Sequence, residues 1–232
     1  MIILREIDFS YDKKNYIFKN FNAQFRPREA SIILGPNGVG KTTLLKLIAG
    51  ILNPLRGEIR IFDKKPHEIR GRIGYIPQLN GLFPWMRIIE NIELPLRIRR
   101  EDLSKHRRII DEIVERLGIR DLLNKYPKQL SGGEIQKVQI ARELVAGSEI
   151  LLLDEPLSMI DIDYRREIIK LLNDLVDNQR LTMLVVTHSI EDAKEINGKL
   201  YIMRKRPVEL VEISDKNNLS RDLVVKYYRG EN

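Results

Sequence analysis

The sequence contains no cysteine, which excludes disulfides, thiol catalysis and cysteine-ligated zinc together. Histidine is scarce: the three present, His67, His106 and His188, lie far apart, so a histidine-rich metal site is not expected. No run approaches the roughly 18–20 uninterrupted apolar residues needed to span a bilayer. The opening MIIL is broken at once by Arg5 and Glu6 and does not read as a secretory leader. Internal repeats, low-complexity tracts and Pro/Gly/Ser-rich linkers are missing too. What is present is a globular balance, 43% hydrophobic and 31% charged over 232 residues, too apolar for disorder and too polar for lipid. That length suits one large domain or two small ones. Lys+Arg 40 against Asp+Glu 33 leaves a net charge of +7, which hints at an anionic partner without naming it. A cytosolic globular protein is expected.

The first third reads as strands and turns. Residues 2–11 (IILREIDFSY) and 17–25 (IFKNFNAQF) partly alternate apolar with polar, as half-buried antiparallel strands do. SIIL (31–34) stops at a glycine-rich loop, and KTTLLKLIAGIL (41–52) follows with helical spacing until Asn53-Pro54. GEIRIF (57–62) predicts another strand. From about Ile88 to Gly118 the pattern is charged and helical, with Ile109, Ile113 and Leu117 on one face. A second helical stretch begins at Ser131. EILLL (149–153) and LTMLVV (181–186) are continuous apolar runs, joined by a helix over 165–178. Such runs suit central strands of a parallel sheet covered on both faces, and their alternation with helices predicts an α/β core. The segment from Arg204 onward is basic and weakly patterned, and no element is predicted for it.

Gly35-Pro36-Asn37-Gly38-Val39-Gly40-Lys41-Thr42 fits G-x-x-x-x-G-K-[ST] in full, between an apolar strand and a helix. Glycines let successive N–H groups turn inward at an anion, and the helix N-terminus adds its positive end. Lys41 is placed to neutralise β/γ-phosphate charge and the Thr42 hydroxyl to coordinate Mg²⁺. In EILLLDEP an apolar strand ends at Asp154 and Glu155. A carboxylate at the C-terminal end of a core strand lies beside the phosphate loop in an open α/β sheet. Asp154 is then a Mg²⁺ holder, and Glu155 the residue that orients or deprotonates a water.

Leu130-Ser131-Gly132-Gly133-Glu134, between those two motifs, resembles the signature segment of ATP-binding-cassette (ABC) ATPases, and the resemblance covers nearly the whole chain. Tyr11 matches the family's adenine-stacking aromatic, although Phe9 and Tyr16 are close by and strand aromatics are more often packing residues. Gln78 in GYIPQ matches the glutamine at the junction with the helical insertion, which reaches Mg²⁺ or the attacking water. Asp161 in SMID matches the loop aspartate, and His188 in VVTHS the switch histidine at the end of the last core strand. The site implied for ATP comprises Tyr11, residues 35–43 including Thr43, Ser131, Gly132, Gly133 and Asp161. Glu155, His188, Lys41 and Gln78 are implied as catalytic, and Thr42, Gln78 and Asp154 as Mg²⁺ holders. Two departures stand out: Glu134 where glutamine is commonest, and Ser-Met-Ile-Asp for Ser-Ala-Leu-Asp.

The resemblance implies an α/β P-loop NTPase core with a parallel sheet, an N-terminal antiparallel β-subdomain and an inserted α-helical subdomain. The expected division is core at about 1–78 and 147–205, helices at 79–146 and a C-terminal tail at 206–232. It also implies a dimer, with itself or a homologous ATPase subunit, in which each signature segment covers the γ-phosphate held by the other chain. With one cassette, no coiled coil and no span in the sequence, a separate ATPase subunit of an importer is expected. The segment 79–96 most resembles the nitrate/sulfonate/taurine group, with Leu82, Phe83, Trp85 and Met86 as a socket for a transmembrane permease subunit. An extracytoplasmic solute-binding protein is a further implied partner, the cytoplasmic face of the membrane the implied location, and no nucleic acid is expected. The alternative is a soluble ABC ATPase serving an assembly or export complex. The basic runs at 97–100 and 105–108 read first as a solvated helix face and second as a surface near anionic lipid.

Overall fold

A computed structural model describes residues 1–78, 81–158, 160–179, 181–216 and 218–230, with backbone alone at 163, 178 and 179. In chain order, β1 (Ile2–Phe9) and β2 (Phe18–Phe25) pair antiparallel, β3 (Ala30–Leu34) leads into α1 (Lys41–Ile48), and β4 (Arg56–Ile61) returns to pair with β1. After β5 (Ile73–Ile76) come α2 (Ile88–Ile98), α3 (Leu103–Arg116) and α4 (Gly132–Val145). Then follow β6 (Ile150–Asp154), α5 (Ile162–Gln179), β7 (Thr182–Thr187), α6 (Ile190–Glu195), β8 (Lys199–Arg204), β9 (Glu209–Ile213) and α7 (Arg221–Arg229). One sheet has the order β2-β1-β4 and the other β5-β6-β7-β3-β8-β9.

The apolar runs are explained by where their side chains go. On β3, Ala30, Ile32 and Leu34 join one core with the helices α2 to α7, while Ile33 joins a second with α1 and the small sheet. β6, β7 and β8 split the same way: Leu151, Met183 and Leu200 on one side, Leu152, Leu184 and Tyr201 on the other. Alternate residues therefore feed two cores, and a strand buried on both faces shows no polar alternation. β1 and β2 of the small sheet alternate buried with exposed residues only in part, their pairing shifting register between Leu4 and Ile7 and between Ile7 and Phe9.

Three expectations need correction. The segment beyond Arg204 is structured: β9 pairs antiparallel with β8 from Leu200↔Ile213 to Arg204↔Glu209, and α7 packs on β8. The main sheet is thus parallel except at its β9 edge, and β7 is not its last strand. The helix read over 41–52 ends at Ile48, because Gly50 takes a φ of 68° that stops it.

Within the insertion, fully buried Asn91 of α2 accepts the Phe83 N–H at 2.8 Å and donates to the carbonyls of Phe83, Met86 and Arg87 at 3.1–3.2 Å. One side chain thereby pins the turn that carries Phe83 and Trp85. Trp85 is 70% exposed and stacks edge-on against Phe83, whereas Leu82 is buried in the core and leaves the expected socket. Leu79 and Asn80, which open that segment, lie outside the described residues. The arginines of the basic runs are largely ion-paired: Arg97 with Glu93 at 2.6 Å, Arg108 with Glu112 at 2.8 Å, Arg99 with Glu101 at 3.5 Å. That is the solvated helix face.

Candidate functional site

The C-terminal ends of β3, β6 and β7 lie side by side, Leu34 beside Thr187 and Asp154 beside Val186. The phosphate loop, the Glu155 turn and His188 leave the sheet at this edge. The phosphate loop leaves β3 with the Gly35 N–H bonded to the Thr187 carbonyl at 3.1 Å. It closes on Gly40, the residue before α1, at a φ of 129°. A Cβ there would lie 2.7 Å from the Ile17 side chain, so both the backbone conformation and the close approach require glycine. Pro36 and Val39 stabilise the same turn, the Val39 N–H meeting the Pro36 carbonyl at 3.4 Å.

Lys41 is buried at the head of α1, and its ammonium donates to the carbonyls of Gly35 at 2.8 Å and Pro36 at 3.2 Å. It also pairs with Glu155 Oε1 at 3.2 Å. The other carboxylate oxygen of Glu155 meets His188 Nδ1 at 2.8 Å and accepts the His188 backbone N–H at 3.3 Å. Lys41, Glu155 and His188 form one chain across three loops. Glu155 itself has a φ of 50°, a left-handed conformation that costs about 1–3 kcal/mol in a non-glycine residue and clusters at functional sites. It is held there on all sides: its N–H bonds Val186 O at 3.0 Å and its carbonyl accepts the Ser158 hydroxyl at 3.0 Å.

Asp154 is buried, accepting the Thr42 hydroxyl at 3.1 Å and the Tyr75 hydroxyl at 3.2 Å. Burial pushes the Asp154 carboxyl above its ordinary pKa, against the opposing pull of those two hydrogen bonds. The Tyr75 phenol is likewise pushed well up, by burial and by the Asp154 charge beside it. A cation beside a buried carboxyl favours its charged form. The hydroxyl of Thr42, the carboxylate of Asp154 and the amide of Gln78 are hard oxygen donors, too few to enclose an ion by themselves. Among the described residues no group of three acidic or histidine side chains offers a self-contained metal cage. This donor set fits Mg²⁺, which completes its shell with phosphate oxygens and water.

Tyr11, Asn37, Gly38, Gly40, Lys41, Thr42, Thr43, Gln78 and Glu155 line one cavity of about 350 Å³, together with Ile17 and Arg206. Tyr11 is 63% exposed at its rim, its hydroxyl 3.2 Å from that of Thr43. Phe9 packs against Tyr11 edge-on and is itself buried, so Tyr11 is the aromatic that faces the cavity. The Gln78 amide donates to Ser158 at 3.3 Å, linking it to the Glu155 turn. A larger groove of about 790 Å³ lies elsewhere, between α3 and the segments entering β6 and β7 at Ser148–Glu149 and Leu181–Thr182. It contains none of the motif residues.

Ser131, Gly132, Gly133 and Asp161 are not part of the cavity lining. Ser131 caps α4, its hydroxyl accepting the Glu134 N–H at 3.3 Å while Glu134 accepts the Ser131 N–H at 2.7 Å. Glu134 thus closes a reciprocal capping box. Gly133 sits against Tyr164, where a Cβ would come within 3.1 Å. Asp161 is exposed just before α5, and Met159 of the same loop lies outside the described residues. Three residues escaped the sequence reading: Tyr75, Ser158 and Arg206, whose guanidinium donates to the Gly38 carbonyl. The aromatic in GYIPQ was a usable signal for Tyr75. Arg206 had none, being remote in the chain from the loop it touches.

The sequence profile of the ABC transporter family matches residues 18–158. The chain belongs to that family. It is 37% identical over 218 residues to the molybdate/tungstate import ATP-binding protein WtpC of Pyrococcus horikoshii, covering 92% of this chain and 63% of that protein. To the aliphatic sulfonates import ATP-binding protein SsuB of Bacillus subtilis it is 33% identical over 195 residues, 84% of this chain and 75% of that protein. The chain spans 62–63% of the length of the molybdate/tungstate relatives from Pyrococcus and Thermococcus. The fold matches the dimeric structure of MJ0796, a bacterial ABC transporter cassette, at TM-score 0.77 and 31% identity, over 87% of this chain and 94% of that one. The same cassette has been solved in a post-hydrolysis state with ADP and Pi, with equal similarity to this chain. The mixed α/β sheet, the antiparallel N-terminal sheet and the helical insertion are those of an ABC cassette. Among the described residues no helix is long and apolar enough to cross a membrane.

Proposed function

We propose that this chain is the ATP-hydrolysing, nucleotide-binding subunit of an ABC importer, working as a dimer and coupling MgATP turnover to solute transport by separate membrane subunits. The observation that carries the reading is the linked set Lys41–Glu155–His188 at 3.2 and 2.8 Å, set beside the phosphate loop. The phosphates lie along residues 35–43, held by inward N–H groups and the α1 N-terminus, with the adenine against Tyr11. Thr42 and Asp154, with Gln78, would hold Mg²⁺, which supplies neutralisation of β- and γ-phosphate charge when bound. Glu155 orients a water and accepts its proton as the water oxygen bonds to the γ-phosphorus. The bond from that phosphorus to the β–γ bridging oxygen breaks, and ADP and phosphate result. Lys41 shields the departing charge, and His188 holds Glu155 in place and reaches toward the γ-phosphate.

Ser131, Gly132, Gly133 and Asp161 lie outside the cavity of their own chain, which supports their action on a second chain's nucleotide. The exposed Phe83–Trp85 pair, pinned by Asn91, is the surface offered to a permease subunit at the cytoplasmic face of the membrane. The import systems named for the relatives favour an importer, with a solute-binding protein as the further component. Phosphate release from MgATP by the purified chain tests the chemistry. Affinity capture from membranes tests the coupling: a polytopic partner supports the importer, whereas recovery of soluble partners alone defeats it.

A further inference from the structure

We infer that Arg206, carried by the turn between β8 and β9, is a further phosphate-binding residue of the nucleotide site. β8 runs parallel to β3 with Leu34 beside Ile202. The chain leaving β8 therefore emerges next to the phosphate loop leaving β3. The turn is fixed at both ends. Arg204 pairs with Glu209 at 3.0 Å and donates to the Tyr227 carbonyl at 3.2 Å, while the Val208 N–H bonds Ile17 O at 2.8 Å. That frame places the Arg206 guanidinium in the wall of the cavity, donating to the Gly38 carbonyl.

Charge completes the argument. Lys41 is matched by Glu155 at 3.2 Å, and Lys205 by Glu209 at 3.4 Å. Arg206 makes no ion pair among the described residues, so it is the uncompensated cation of the cavity wall. A guanidinium presents a planar fork of donors that fits phosphate oxygens bidentately, and exchanging a neutral carbonyl for an anionic oxygen strengthens its hydrogen bonds. The inference rests on the nucleotide reading above.

The test is MgATP affinity by calorimetry for the full chain and its R206A, R206Q and R206K variants, each first checked for an unchanged Tm, at two salt concentrations. Glutamine keeps a donor for the Gly38 carbonyl but carries no charge, and lysine keeps the charge. The expected result is a Kd raised about tenfold in R206Q and R206A, within about threefold of wild type in R206K, with shallower salt dependence in the two neutral variants. Wild-type affinity in R206Q, whatever R206A does, would reduce Arg206 to a structural tie on the loop and overturn the inference. Failure of the wild-type chain itself to bind MgATP would instead refute the nucleotide reading on which it stands.

Discussion

Glu155, the residue proposed to activate water, shows how a single side chain is held in place. Its left-handed backbone is unfavourable alone, and four partners hold it: Lys41, His188, Val186 and Ser158. Such over-determination keeps a carboxylate fixed where a mobile one would lose orientation. Glu134 carries a different trade. As the carboxylate of a capping box it favours α4, yet it puts negative charge at the helix N-terminus proposed to face a second chain's γ-phosphate. Glu134→Gln retains an acceptor for the Ser131 N–H and removes the charge. ATP-dependent dimerisation measured by sedimentation is expected to tighten about two- to fivefold, with the difference shrinking at high salt. An unchanged association constant would separate Glu134 from the interface.

At the scale of elements, the legible parts were those whose burial writes a local pattern. The runs of β3, β6 and β7, and the glycines and lysine of the phosphate loop, could be read without a structure because each constraint acts within a few residues. β5 is four residues long and only half buried, and β9 is an edge strand with no fully buried residue, so neither leaves a continuous run. α7 did carry signals, Ser220 capping Leu223 N–H at 3.1 Å and Gly230 at a φ of 78° past its end, which the basic composition obscured. Contacts such as Arg206 with Gly38 depend on strand order alone and have no local trace. Asn91 is another of these: Asn91→Ala is expected to destabilise the chain by about 2–4 kcal/mol and to speed hydrogen exchange at Phe83–Arg87. Exchange there at the wild-type rate would show that the turn holds itself. On β8, burial pushes the Tyr201 phenol up to about 12, reinforced by Glu212 and Glu29. The folded chain then keeps a proton that the unfolded chain loses from about pH 10. The stability tied to this neutral phenol is full below about pH 10 and lost by about pH 12. Urea midpoints across that window should fall more steeply for wild type than for Tyr201→Phe, and parallel curves would contradict the assignment.

For the whole molecule, the residues proposed to act on the nucleotide fall in two places. Phosphate loop, carboxylates and histidine converge at one edge of the sheet, while the Ser131 segment and Asp161 lie outside this cavity and are proposed to serve that of a second chain. Of the cations behind the net charge of +7, Lys41 and Arg206 stand at the cavity, while the arginines of the insertion are mostly ion-paired. The account stands on a two-chain site in which Glu155 drives hydrolysis. Glu155→Gln removes the base and keeps the shape, so phosphate release is expected to fall about 100-fold or more. Size-exclusion chromatography of that variant with MgATP is the most direct test. A dimer that forms with MgATP, persists through the run and disperses without nucleotide is the predicted result. A variant that stays monomeric with saturating MgATP, or that releases phosphate at the wild-type rate, would contradict it.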